Sequence, residues 1–185
     1  MSRTPVEAQG DPPHYPRDLR EDWQLPDGTE VCIRPIRPQD LALETAFVQG
    51  MSAETSYHRL LSRRQLQPDE LWRFTHIDYE RELALVATAR IDGAEQFLAV
   101  ARYVRDAPGD QAEFAIVVGD AWQGSGLGTR LMRSLIAAAA RAGVRRLVDI
   151  TLSENKAMLA LARRLGFRLQ HEPGDARVTR LELAL

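Results

Sequence analysis

The chain has 185 residues, of which 44% are hydrophobic and 27% charged, the proportions of a single globular domain. Its net charge of −2 gives no electrostatic basis for binding nucleic acid or a membrane surface. No apolar run approaches the roughly 20 residues of a membrane span, and the N-terminus lacks an apolar signal core, so we expect a cytoplasmic location. The single cysteine, Cys32, excludes an internal disulfide and fits a reducing compartment.

The first third of the chain predicts an extension, one strand and helices. Residues 1–24 are rich in proline and charge and show little periodicity, so we expect an N-terminal extension before a single domain of residues 25–185. Asp27-Gly28 is a turn signal that leads into a strand at 30–36. Three helices are then predicted, with starts at Pro38, Ser52 and Pro68 and with the first two ending near residues 49 and 61.

The remainder predicts strands first and then alternating helices and strands. A hairpin signal at Asp92-Gly93 separates strands at 83–90 and 96–104. The following elements are predicted in the order strand 111–118, helix 127–142, strand 144–152, helix 155–165, and final strands 167–170 and 177–185. Three consecutive strands before the long helix argue against a Rossmann fold, because that fold alternates strand and helix from its start.

A glycine-rich turn, Gln-Gly-Ser-Gly-Leu-Gly at residues 123–128, connects the strand 111–118 to the long helix. Glycines let the backbone come close to a ligand, and the first N–H groups of a helix have no intrahelical partner. The helix dipole also favours a negative charge at this end. The turn therefore predicts a site for phosphate groups.

Three phosphate-binding motifs compete for this turn. A P-loop requires Lys and then Ser or Thr after its last glycine, whereas Thr129-Arg130 follows here. The Rossmann fingerprint lacks its third glycine, although Asp149 stands where that fold keeps its ribose-binding acid. The motif Q/R-x-x-G-x-G/A, typical of the GCN5-related N-acetyltransferase (GNAT) superfamily, is matched by Gln123, Gly126 and Gly128. An ordinary helix-opening loop is the alternative without a ligand.

Other segments resemble the same superfamily. Asn155 with Gly166-Phe167 is similar to its N-x-x-A…G-F pattern. The segments 27–40, 52–57 and 77–84 resemble the acetyltransferase domain of bacterial protein lysine acetyltransferases, and the resemblance extends over roughly residues 14–185. It implies the GNAT fold, an α/β fold with a mixed central sheet of about seven strands and helices on both faces. The acyl-CoA-synthetase-like region that is often fused to such a domain has no counterpart in these residues.

The resemblance implies transfer of an acetyl group from acetyl-CoA to a primary amine, and its subfamily implies a protein lysine on a partner such as an acyl-CoA synthetase. Two alternatives change only the acceptor, which would be a small amine or a protein N-terminus. A third alternative is a module that senses acyl-CoA without turnover. A lysine amine has a pKa near 10.4, so only roughly one in 2,500 is neutral at pH 7 and a base is needed. Glu113 occupies the position of that base in the family, and a solvated strand charge is its alternative interpretation.

The resemblance also assigns binding residues. The coenzyme would contact Asn155, the strand backbone and the turn, that is Ile116, Val117, Val118, Gln123, Gly124, Ser125, Gly126, Leu127, Gly128 and Thr129. Asn155 is alternatively an N-cap of its own helix. Arg130 and Arg163 are candidates for the outer phosphate.

Tyr57, Asp78 and Tyr79 fall in segments that build the acceptor side in similar proteins, and surface loop residues are the alternative interpretation. Many members of the superfamily carry a tyrosine as general acid seven positions after the asparagine, where this chain has Ala162. The departing thiolate therefore lacks an obvious proton donor. No metal is expected, because the histidines show no metal-ligand spacing.

Overall fold

The computed structural model describes residues 10–60, 66–107, 109–172 and 174–185. The predicted end of the second helix at residue 61 and the first nine residues of the predicted extension lie outside this description. The strands are β1 Glu21–Gln24, β2 Glu30–Pro35, β3 Glu82–Ile91, β4 Ala94–Arg105, β5 Gln111–Val118, β6 Arg146–Leu152, β7 Arg168–Glu172 and β8 Asp175–Ala184. The α-helices are α1 Leu41–Gln49, α2 Ala53–Leu60, α3 Pro68–Thr75, α4 Leu127–Arg141 and α5 Lys156–Arg164.

All eight described strands form one mixed sheet in the order β1-β2-β3-β4-β5-β6-β8-β7. Only the β5–β6 pair among them is parallel. The predicted mixed α/β sheet is confirmed, with eight strands rather than about seven.

The additional strand lies inside the segment that the sequence predicted as an extension. β1 pairs with β2 from Glu21 opposite Ile33 to Gln24 opposite Glu30, so the sheet begins before residue 25. The strand was missed because Trp23 is its single apolar residue and stands among charged and amide side chains. The sheet therefore starts at Glu21, four residues before the predicted domain boundary at residue 25.

Helices cover both faces of the sheet. α4 and α5 pack over one face, where Leu135 and Leu159 join Phe114, Leu147 and Leu181 in the main core. α1 and α3 lie over the opposite face on the β2–β4 side, above a smaller cluster that includes Ile36, Phe47, Val86, Val100 and Val117. Because strand residues alternate between faces, β5 contributes Phe114 to the first core and Val117 to the second.

The sheet opens between its two parallel strands. β5 and β6 are paired only from Gln111 opposite Arg146 to Glu113 opposite Val148. Beyond that point β5 remains paired with β4 up to Val118, and β6 remains paired with β8. We call the gap between residues 114–118 of β5 and 149–152 of β6 the wedge. Its open end lies beside the turn that begins α4.

Candidate active site

The turn before α4 presents unpaired backbone amides. Gly124 and Gly126 have left-handed φ angles of 76° and 88°, and a Cβ atom at either would meet no heavy atom within 4 Å. Arg130 is the first residue of α4 whose N–H donates to a backbone carbonyl, that of Gly126 at 3.1 Å. In the described part of the chain, the amides of Gly124, Gly126, Gly128 and Thr129 have no hydrogen-bond acceptor. The turn therefore has the open backbone and the free N–H groups that an anion site requires.

Gly128 brings this turn close to the wedge. A Cβ atom at Gly128 would lie 3.2 Å from Cγ2 of Val118 and 3.8 Å from Cδ2 of Leu161. A larger residue would push the first turn of α4 away from β5 and α5. The glycine thus keeps the free amides next to the end of β5.

The side chains of Gln123 and Ser125 support the turn. Gln123 Nε2 donates to the carbonyl of Val118 at 3.2 Å and to Thr55 Oγ1 at 3.3 Å. Ser125 Oγ donates to the carbonyl of Trp122 at 2.6 Å, and Leu127 is fully buried in the main core. Backbone groups rather than these side chains are therefore what the turn offers to a ligand.

A polar cluster that the sequence did not predict ties α2 to the same turn. Asp120 accepts hydrogen bonds from the Ser52 N–H at 2.8 Å, from Ser52 Oγ at 2.9 Å and from Thr55 Oγ1 at 2.6 Å. The bond from Thr55, followed by those from Ser52, lowers the pKa of Asp120. The contacts fix the start of α2, which carries Tyr57, beside the turn. They join residues nearly seventy positions apart, which no local pattern reveals.

One edge of β5 has backbone groups directed into the wedge. The N–H of Gly119 donates to Leu98 of β4 at 2.8 Å. Because these groups alternate in direction along a strand, the N–H and C=O of Val118 and Ile116 point the other way, towards β6. Val117 points to β4, and its side chain is buried in the smaller cluster. Of the three predicted strand contacts, Ile116 and Val118 thus face the wedge and Val117 does not.

Glu113 lies at the closed end of the wedge. It is exposed, and it is the last residue of β5 that pairs with β6. Two apolar residues share the face of the sheet on which Glu113 lies. Val104 is the partner of Glu113 in β4, and Ile150 comes two residues after Val148, the partner of Glu113 in β6. These two apolar side chains are 43% and 44% exposed. Glu113 therefore stands on an open surface with apolar groups on both sides.

Asp149 follows the partner of Glu113 in β6. Burial raises the pKa of Asp149 to about 7. The hydrogen bond from the Ile150 N–H lowers this pKa, and the negative charge of Glu113 raises it further. The sequence singled out Asp149 only under the Rossmann interpretation, which the sheet order excludes. The shifted pKa marks it as a candidate functional group.

Two of the three predicted acceptor-side residues use their polar atoms in the fold. Asp78 Oδ1 accepts from the N–H groups of Glu80 and Arg81, each at 2.9 Å. Although burial acts in the opposite direction, these backbone hydrogen bonds lower the pKa of Asp78. Tyr79 donates its hydroxyl to the carbonyl of Ile36 at 2.8 Å, and burial raises the pKa of its phenol.

Asn155 caps α5, as its alternative interpretation proposed. Its Oδ1 accepts from the Met158 N–H at 3.0 Å, and its Nδ2 lies 3.4 Å from Thr151 Oγ1. Ala162, at the position of the missing tyrosine, is buried in the main core.

Arginines extend the anion site along α4. A cavity of about 340 Å³ next to the turn is lined by Trp23, Gly126, Thr129, Arg130, Arg133 and Arg164. Arg130 forms an ion pair with Glu21 at 2.7 Å. Of the two arginines that the sequence proposed, Arg130 lines the cavity and Arg163 does not, whereas Arg133 and Arg164 line it without having been predicted. The helical spacing of Gly126, Thr129 and Arg133 was the signal that could have identified Arg133.

Within the described ranges, no group of three or more His, Cys, Asp or Glu side chains is arranged to hold a metal ion. The helices of those ranges are also too short or too polar to cross a membrane.

The mixed sheet, the wedge and the glycine turn define a GNAT-type acetyltransferase. The sequence model described as "Acetyltransferase (GNAT) family" matches residues 50–167, so this chain belongs to that family. The protein is therefore an acetyltransferase.

Individual relatives agree with this assignment. The chain is 35% identical over 162 residues to Acetyltransferase PA5475 of Pseudomonas aeruginosa, covering 87% of each protein. It is 34% identical over 144 residues to Acetyltransferase Pat of Mycolicibacterium smegmatis, covering 77% of this chain and 43% of that protein. The GNAT domain of PAT from S. lividans superposes with a TM-score of 0.83 at 32% identity, covering 92% of this chain and 99% of that domain.

Proposed function

We propose that this acetyltransferase modifies lysine side chains of proteins, with Glu113 as the base. The observation that carries the proposal is the open, apolar surface around Glu113. Val104 and Ile150 expose more than two fifths of their surface there, and Ala115 is exposed beside them. Apolar groups on an open face favour contact with another protein surface over enclosure of a small molecule. The similarity to two proteins named Pat or PAT supports the same acceptor.

The described residues fit the acetyl donor. We assign the pyrophosphate to the free amides of Gly124, Gly126, Gly128 and Thr129, and the outer phosphate to the arginine-lined cavity beside them. The wedge-facing backbone of Ile116 and Val118 would hold the extended arm, and Asn155 would contact it in addition to capping α5. When bound, acetyl-CoA supplies an acetyl group activated as a thioester.

Glu113 performs the proton transfer that the acceptor requires. A lysine side chain reaches the site mostly as an ammonium ion, so Glu113 removes its proton, directly or through a water molecule, and exposes the nitrogen lone pair. The N–H of Ile116 points into the wedge three residues from Glu113, nearer to it than that of Val118, and would donate to the oxygen on which negative charge develops. The new C–N bond replaces the C–S bond, and the sulfur leaves with the electron pair of that bond. The proton taken by Glu113 and the second proton that the nitrogen loses as the amide forms both pass to solvent.

We further propose that Tyr57 contacts the acceptor. It lies on α2, whose start Asp120 fixes beside the turn. Asp78 and Tyr79 would shape the loop before β3 rather than touch the acceptor, since their polar atoms already bond to backbone groups.

The test separates a protein acceptor from a small amine. Labelled acetyl-CoA is incubated with the chain and a lysate of the source organism, and mass spectrometry identifies the acetylated residues. The value of kcat/KM is then measured for the identified protein and for Nα-acetyl-lysine amide, with the unmodified chain, Ile150→Glu and the control Leu185→Glu, which changes an exposed leucine elsewhere.

We expect lysine side chains to be labelled, and Ile150→Glu to reduce kcat/KM at least tenfold more for the protein than for the small amine. Leu185→Glu should behave like the unmodified chain. Labelling of N-termini or small amines alone, or equal effects of Ile150→Glu on both acceptors, would contradict the proposal.

A further inference from the structure

We propose that Asp149 is the proton donor to the thiol that leaves during acetyl transfer, a function that the superfamily often gives to a tyrosine and that Ala162 does not supply. The inference rests on the proposed function. It assigns to β6 the acid that complements the base on β5.

The position of Asp149 is defined by its neighbours in the sheet. It follows Val148, the last residue of β6 that pairs with β5, so it stands at the closed end of the wedge. Its partner in β8 is Leu181, which is fully buried in the main core, and Leu147 belongs to the same core. Asp149 therefore faces the side of the sheet that α4 and α5 cover.

Glu113 and Asp149 border the same gap from opposite faces. Glu113 shares its face with Val104 and Ile150, where we place the incoming amine. Asp149 shares its face with Ala162 of α5, the position at which the missing tyrosine would stand. Because β5 and β6 separate at this point, a base on one face of the sheet and an acid on the other can act on one acetyl group held between the strands.

The surroundings keep a proton on Asp149 near neutral pH. The residues of α4 and α5 that reach the main core are apolar, among them Leu131, Leu135 and Leu159. On β8, Arg180 and Glu182 flank Leu181 and alternate to the opposite face. Of the charged side chains in the described ranges, Glu113 acts on Asp149, and its negative charge favours the protonated acid. With a pKa of about 7, roughly half of the Asp149 carboxyls carry a proton at pH 7.

The step balances with solvent as the source of the proton. As the C–S bond breaks, its electron pair remains on sulfur, and Asp149 transfers its carboxyl proton there. The resulting carboxylate regains a proton from water. The nitrogen loses two protons to water, one through Glu113 before attack and one as the intermediate collapses to the amide, so one proton is released overall. Because a thiol of pKa near 8.5 departs tolerably as a thiolate, we expect Asp149 to contribute only about tenfold for a thioester.

A more basic leaving group makes the contribution of Asp149 to catalysis measurable, because such a group depends more strongly on a proton donor. The turnover of acetyl-CoA is compared with that of its analogue in which oxygen replaces the thioester sulfur, for the unmodified chain, Asp149→Asn and the control Asp22→Asn, an exposed aspartate on β1. Asp149→Asn should lower kcat about tenfold with the thioester and at least tenfold further with the oxygen ester. Its dissociation constant for acetyl-CoA, measured by calorimetry, should change less than twofold.

A second readout needs no donor. Carbon-13 NMR of the free chain should show the Asp149 carboxyl titrating near pH 7, and Glu113→Gln should lower that midpoint. Equal losses with the two donors, no loss, or a midpoint below pH 5 would overturn the assignment and leave the proposed function intact. If the unmodified chain acetylates no amine, the proposed function fails first and the inference falls with it.

Discussion

Two aspartates in opposite halves of the sheet show how differently one fold treats a carboxyl group. Asp40, under the covered half formed by β2 to β4, is 2% exposed and accepts two hydrogen bonds from Arg34, at 2.7 and 2.9 Å, and one from the Arg37 N–H at 2.8 Å. Asp149 borders the wedge, and within the described part of the chain its carboxyl accepts one hydrogen bond, from the N–H of the neighbouring Ile150.

The difference lies in partners rather than in burial alone. Although burial acts in the opposite direction, the hydrogen bonds and charge of Asp40 raise the pKa of Arg34. Glu95 adds a third contact to Arg34 at 3.1 Å. Asp149 has burial without a cation, so its own pKa rises instead. The covered half thus uses charge to hold the fold, and the open half leaves its charged and polar groups available for chemistry.

The strongest expected effect comes from the open half. Glu113→Gln removes the proposed base and should lower kcat/KM by about 10²–10⁴-fold, since the glutamine cannot accept the proton of the ammonium ion. Steady-state assays with the identified acceptor measure this loss, and calorimetry should give an unchanged dissociation constant for acetyl-CoA. Glu30→Gln, an exposed strand residue, is the control. Turnover that is unaffected by Glu113→Gln would eliminate Glu113 as the base.

A substitution in the covered half should lower the free energy of unfolding. Arg34→Met leaves the Asp40 carboxylate buried without its cation, so we expect the free energy of unfolding to fall by about 3–5 kcal/mol. Urea denaturation measures the change. The double variant Arg34→Met/Asp40→Leu should recover part of the loss, because no uncompensated charge remains buried. A single variant as stable as the unmodified chain would show that the ion pair contributes little.

Replacement of Asp149 should change the stability in the opposite direction and increase it at alkaline pH. The folded chain binds the Asp149 proton up to about pH 7, whereas the unfolded chain releases it near the ordinary aspartate pKa of 3.8. Stability is therefore lost as pH rises through this window, and Asp149→Asn should remove the loss. Because the side chain is partly exposed, we expect the variant to be more stable by only about 1–3 kcal/mol at pH 8.

The comparison of urea denaturation at pH 4 and pH 8 checks this prediction. At pH 4 the variant and the unmodified chain should differ by less than about 1 kcal/mol, since the carboxyl is then protonated in the folded chain and only a little more than half ionised in the unfolded chain. A stability difference that does not change with pH would contradict the raised pKa of Asp149.

The sequence predicted the open half well where the signals are local. The strand 111–118 has the predicted bounds, and the glycine turn and the start of α4 follow as expected. Asn155 and Ser52 act as caps, which short-range spacing also predicts. These features depend on neighbours within a few residues.

Features that depend on distant strands could not be predicted. The exposure of Ile150 results from the point at which β5 and β6 separate, and the raised pKa of Asp149 depends on its burial beside Leu181 in β8. The contacts of Asp120 with Ser52 and Thr55 likewise join remote segments. β1 escaped prediction because its alternation contains one apolar residue, Trp23.

The smallest expected effect separates two functions of Asn155. Asn155→Ala removes the acceptor that caps the Met158 N–H, so it should cost about 1 kcal/mol of unfolding free energy. Asn155→Asp keeps a capping oxygen and adds a charge that suits a helix N-terminus, so its stability should match that of the unmodified chain.

The aspartate variant then isolates the coenzyme contact, because it loses the amide N–H₂ group and keeps the cap. If Asn155 donates to the extended arm of acetyl-CoA, Asn155→Asp should weaken binding about tenfold in calorimetry while urea denaturation stays unchanged, since a lost hydrogen bond in a closed site is worth about 1–1.5 kcal/mol. An unchanged dissociation constant would restrict Asn155 to its cap. The wedge would then bind the arm through the backbone of β5, and the side chains of α5 would serve the fold alone.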